Sequence, residues 1–157
     1  MNRLKAATAT LFGAGLIPVA PGTWGSLFSL ILIYPAAILG GTTGLLAVAV
    51  AGSLLTLWSA GYAEKKWGPD PSKMVIDELS GLALVYLMIP FTGDPGTDLI
   101  PLFGGFLLFR LFDIRKPFGI NRLQHFPSGF GILLDDLGAG LYACFVLHIA
   151  RYLAALI

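Results

Sequence analysis

Two pairs of adjacent acids, Asp77-Glu78 and Asp135-Asp136, each adjoin the start of an apolar stretch. Between them in the chain, Arg110, Asp113 and Lys116 follow one another at three-residue intervals. On one helix that spacing sets the three along neighbouring faces. Carboxylate oxygens suit a hard ion such as Mg²⁺, which keeps several waters, one of them able to attack phosphorus. Five carboxylates and two cations therefore have the makings of a site that holds an ion and a phosphate together. Each piece also has a plainer reading. Asp135 or Asp136 is a suitable helix N-cap. Arg110 and Asp113 can form a simple i,i+3 pair, and Arg115 with Lys116 can anchor a helix end. Neighbouring residues on a helix diverge by about 100°, so one member of each acidic pair can be structural.

A second candidate lies near the N-terminus, where residues 13–26 read GAGLIPVAPGTWGS. Glycines let backbone approach an oxyanion, and Thr23 and Ser26 add hydroxyl donors. Pro21, Gly22, Thr23, Gly25 and Ser26 thus form a possible phosphate cradle. No Gly-Lys-Ser/Thr follows, so this is not a P-loop. The alternative is a loop with a turn at Pro21-Gly22 and Ser26 capping a helix that begins near Leu27. His125 and His148 stand alone, without a second His or Cys at ligand spacing, and are left out of the site. His148, inside an apolar stretch, reads as a hydrogen-bonded helix contact.

The elements that must position these groups are apolar. Of 157 residues, 56% are hydrophobic and 12% charged, and the mean hydropathy is +0.80. That composition points to lipid as the solvent and to a single domain. The net charge of +1 gives no basic field for nucleic acid. The single cysteine, Cys144, excludes a disulfide framework and reads as a small buried hydrophobe. Arg3 and Lys5 ahead of an apolar stretch resemble a secretory signal, but Gly13, Gly15 and Pro18 interrupt it, and the expectation is that the segment is retained.

Two apolar stretches, 27–40 and 45–60, are separated by turn residues and read as a helical hairpin; 79–91 and 99–112 read as a second; 137–157 reads as a terminal span. The expected fold is an all-α, multi-pass membrane domain, because backbone inside lipid must satisfy its own hydrogen bonds. Lys and Arg avoid both hairpin tips and collect at 3–5, 65–73 and 110–122, with Arg151, near the far end of the last span, the exception. The positive-inside rule then sets the N-terminus and the long connections in the cytoplasm, with all seven ionisable candidates on that side. Trp24, Trp58 and Trp67, with Tyr34, Tyr62 and Tyr152, read as an interfacial belt.

Four blocks carry a resemblance: IPVAPGTWGSL at 17–27, VIDELSGL at 75–82, FRLFDIRKP at 109–117 and GFGILLDDLGAG at 129–140. In this order and spacing they resemble the signature blocks of the phosphatidylglycerophosphatase A family. The resemblance implies a Mg²⁺-dependent phosphatase that acts on phosphatidylglycerophosphate in the bacterial inner membrane, facing the cytoplasm. It implies metal-site carboxylates at Asp77, Glu78, Asp113, Asp135 and Asp136, phosphate-holding roles for Arg110 and Lys116, and a place in the site for Gly22, Thr23, Gly25 and Ser26. The chain departs from the family pattern at Phe118-Gly119, at Gln124, where an acid is common, and at Ser128-Gly129. A small transporter or channel, and a lipid phosphatase for another headgroup, are the alternatives.

Overall fold

A computed structural model describes residues 1–117, 119–127 and 129–156; the departures at Phe118 and Ser128 lie outside them. The described residues are helical, without a strand: α1 (Asn2–Ala9), a 3₁₀ turn (Ala14–Leu16), α2 (Pro21–Trp67), α3 (Asp77–Val85), α4 (Pro95–Arg115), α5 (Ile120–Leu123) and α6 (Gly129–Ala154). α2 and α6 are long and apolar enough to cross a membrane.

The 47-residue α2 is not one straight rod. At Gly41 the backbone takes φ 52 and ψ −139, in the region glycine enters without a Cβ penalty. Beyond the break, a Cβ on Gly44 would sit 2.3 Å from the Ala36 carbonyl oxygen. Eight residues along an unbroken helix would separate them by about 12 Å.

α2 also starts earlier than expected. Pro21 occupies the first helical turn, where its fixed φ and missing N–H cost nothing, and Ala20 enters it from the left-handed region at φ 50. The expected loop over 13–26 is therefore a 3₁₀ turn followed by a helix N-terminus. Ser26 lies inside that helix and does not cap it.

The third apolar stretch is corrected as well. The helix ends at Val85 and is nine residues long, too short to cross a bilayer. Pro90 lacks an N–H and disfavours helical backbone in the residue ahead of it, and Met88 has turned to φ 62. α3 is instead a core helix, buried along nearly its whole length beneath α2 and α6. His148 Nε2 donates to the Leu87 carbonyl at 2.8 Å, which satisfies an oxygen just past the end of α3. At the same end of the molecule, Asp94 caps α4 by accepting from the Thr97 N–H, and the buried Asp98 accepts from the N–H groups of Thr92 and Gly93 and from Tyr34 Oη.

Candidate active site

The two acidic pairs meet because α3 and α6 cross at glycine. A Cβ on Gly140 would stand 2.1 Å from the Gly81 carbonyl oxygen, and one on Gly81 would stand 2.5 Å from the Asp136 carbonyl oxygen. Only residues without a side chain allow helices to approach this closely. Asp77 precedes Gly81 by four residues and Asp136 precedes Gly140 by four, so one turn from the crossing each helix presents a carboxylate to the same space.

That space is a cavity of about 390 Å³. Asp77, Glu78, Asp113, Asp135 and Asp136 line it, with Arg110 from the C-terminal half of α4, Lys116 from its C-cap, and Gly22 and Thr23 from the first turn of α2. Carboxylate oxygens of Asp113, Asp135 and Asp136 lie within 4.8 Å of one another, close enough to share one ion. Asp77 and Glu78 stand outside this trio. Asp136 Oδ2 and Asp77 Oδ1 are buried and have no hydrogen-bond partner among the described residues, an expensive condition unless an ion or water completes them.

Glu78 is held differently. Ser26 Oγ donates to its Oε2, and Arg110 Nη1 reaches the same oxygen at 2.8 Å and Asp113 Oδ2 at 2.9 Å. Lys116 Nζ bonds Asp135 Oδ2. Burial pulls the Lys116 ammonium down, but that bond and the charges of Asp135, Asp113 and Asp136 outweigh it and hold its pKa above the ordinary 10.5. Both cations are thus already engaged by carboxylates. Gly22 allows α2 to start against this pair, since a Cβ there would be 2.4 Å from Glu78 Oε1 and 2.9 Å from Arg110 Nη2.

Two expectations for the cradle change. Ser26 is fully buried and spends its hydroxyl on Glu78, and Gly25 is pressed against Val75, where a Cβ would be 2.6 Å from the Val75 Cβ. Neither lines the cavity. Gly22 and Thr23 do, and their N–H groups belong to the open first turn of α2. Asp135 and Asp136 begin six residues inside α6, so they are not its N-cap. Asp70 and Ser72 line the cavity and were not anticipated. Their signal was a Pro-Asp-Pro sequence at 69–71, which fixes an acid on a stiff connection.

Comparisons with known proteins give one family and relatives whose names carry two different headgroups. A family model described as phosphatidylglycerophosphatase A matches residues 7–151. The chain is 36% identical over 147 residues to a putative phosphatidylinositol-3-phosphatase of Bacteroides thetaiotaomicron, covering 91% of each chain. It is 35% identical over 146 residues to phosphatidylglycerophosphatase A of Haemophilus influenzae, covering 90% of this chain and 85% of that one. With the Escherichia coli protein of that name the identity is 30% over 139 residues, covering 87% and 77%. No solved structure matches.

Proposed function

The chain is a phosphatase of the phosphatidylglycerophosphatase A family, and on that premise we propose that it hydrolyses the terminal phosphate of phosphatidylglycerophosphate with Mg²⁺ at the Asp113, Asp135 and Asp136 oxygens. The observation that carries this reading is the convergence of five acids and two cations from three helices on one cavity. Two cations against the six carboxylates that line the cavity, Asp70 included, leave a formal −4 when all are ionised, a field that repels a phosphate monoester until a divalent ion offsets it. Bound there, Mg²⁺ supplies Lewis-acid charge neutralisation and a coordinated water.

The remaining work falls to the chain itself. The first turn of α2 offers the Gly22 and Thr23 N–H groups to phosphate oxygens, with the positive end of the helix dipole behind them. Lys116 and Arg110 balance charge at the rim. Asp136 Oδ2, buried and unpartnered, accepts the proton of the attacking water. Phosphoryl transfer depends chiefly on such positioning and charge stabilisation.

Two apolar helices and the family make this a membrane protein. In the proposed topology, α2 is a hairpin of two crossings, 21–40 and 42–67, folded at Gly41. α4 and α6 also cross, and α3 is packed inside. The acids then face the cytoplasm with Arg3, Lys5, Lys65, Lys66 and Lys73, as the positive-inside rule requires in a bacterial inner membrane. The relative named as a phosphatidylinositol-3-phosphatase favours a second reading, an inositol headgroup.

Purified protein in mixed micelles, assayed for phosphate release from both lipids, tests these readings. Release should stop with EDTA, return with Mg²⁺, and fall at least 100-fold in Asp136→Asn. Full turnover in EDTA or in that variant would end the metal assignment.

A further inference from the structure

Asp70 stands on a wall shared by two cavities. On one side is the cavity holding the acids; on the other is a smaller one of about 200 Å³, lined by Glu64, Gln124, Phe126 and Gly131 among others. Gly131 precedes Asp135 by four residues on α6, about 6 Å along the helix axis. A molecule with its phosphorus at the acids and a few carbons beyond therefore reaches the second cavity past Asp70.

The chemistry of that wall differs from the rest. Asp70 has no cationic partner among the ion pairs of the described residues. Its side-chain hydrogen bond is from Gln124 Nε2 at 3.4 Å, a length that leaves room for a better donor. Its backbone is left-handed at φ 44, a conformation Asp tolerates better than most residues, between Pro69 and Pro71. A carboxylate without a cation repels phosphate and accepts O–H. It therefore sorts a headgroup into two ends, with the anionic ester toward Lys116 and Arg110 and the hydroxylated carbon toward itself.

We propose that Asp70, backed by Gln124, determines headgroup specificity by accepting a free hydroxyl of the polyol that carries the scissile phosphate, with the polyol lying across the shared wall toward the smaller cavity. The inference rests on the phosphatase reading above and deepens it. The substrate class becomes a phosphomonoester of a hydroxylated headgroup, a chemistry that glycerol and inositol share.

The test uses the full chain in mixed micelles and the variant Asp70→Gly, which removes the carboxylate where glycine accepts the backbone angle without strain. Four quantities are compared: kcat/KM for phosphatidylglycerophosphate, for its analogue lacking the free glycerol hydroxyl, and for phosphatidylinositol 3-phosphate, and inhibition by inorganic phosphate. Wild type should prefer the hydroxylated glycerol lipid to its deoxy analogue by about tenfold or more, the worth of one hydrogen bond to a charged group. Asp70→Gly should lose that preference, fall about as much on whichever polyol lipids the wild type accepts, and leave phosphate inhibition no weaker than in wild type, since a carboxylate that repels phosphate has been removed. The wild-type rates on the two natural lipids tell glycerol from inositol. If Asp70→Gly discriminates the deoxy analogue as wild type does, or if phosphate inhibition weakens in step with turnover, the specificity role is lost. If wild type releases phosphate from no lipid, the phosphatase reading itself fails.

Discussion

Replacing Gly140 with alanine would put a methyl carbon 2.1 Å from the Gly81 carbonyl oxygen. An ordinary C···O contact is about 3.3 Å, so α6 and α3 must separate locally by about 1.2 Å. Carbonyl oxygens of a buried helix cannot swing aside as a side chain can, and the strain is of the overpacking kind, about 1–3 kcal/mol. The displacement passes to Asp136, one turn away on the same helix, and opens its distance to Asp77. A shift of about 1 Å in a catalytic arrangement costs on the order of 100-fold, so kcat should fall by about that factor while the protein remains folded. Phosphate release in mixed micelles at saturating Mg²⁺, with thermal unfolding alongside, reads both effects. Gly104→Ala is the control, because a Cβ there meets only Leu147 Cδ1 at 3.9 Å, and it should keep wild-type turnover. Wild-type turnover in Gly140→Ala, or an equal loss in Gly104→Ala, would refute the view that the α3–α6 crossing sets the spacing of the acids.

Three further substitutions separate the roles of neighbouring groups. Ser26→Ala removes the hydroxyl donated to Glu78 but leaves Arg110 in place; kcat should fall about tenfold with unchanged inhibition by inorganic phosphate, whereas weaker phosphate inhibition would return Ser26 to a direct binding role. Lys116→Ala leaves Asp135 without its cation and should cost at least tenfold in kcat/KM, partly restored in Lys116→Arg; equal activity of all three proteins would remove Lys116 from the site. His148→Ala deprives the Leu87 carbonyl of its donor and should lower stability by about 1–2 kcal/mol without changing turnover, and a large loss of turnover at unchanged stability would contradict its structural assignment.

The charged part of the site was legible in the sequence because ionisable groups are scarce in so apolar a chain. Asp77, Glu78, Arg110, Asp113, Lys116, Asp135 and Asp136 all line the cavity. What the sequence left open was their division of labour. Spacing along a helix could not reveal that Glu78 would be tied up by Ser26 and Arg110 while Asp113, Asp135 and Asp136 drew together, since those pairings span up to 52 residues and depend on how helices cross. The helical class was legible from composition and the need to satisfy backbone in lipid. Element ends were less so. Pro21 began a helix rather than a turn, because proline fits a first helical turn as well as it fits a turn corner. Apolar continuity from 79 to 91 concealed the stop before Pro90. The His148 reading holds, with Leu87 as its partner.

The order in which the helices bring their charges has a bearing on biosynthesis. Ser26 leaves the ribosome first, then Asp77 and Glu78, then Arg110 and Asp113, and only with α6 do Asp135 and Asp136 arrive. The hydroxyl donor and guanidinium of Glu78 thus both precede α6 in the chain, whereas two of the three oxygens that could grip an ion belong to α6. A chain lacking α6 is therefore expected to lack the three-oxygen cluster, though it keeps Ser26, Glu78 and Arg110.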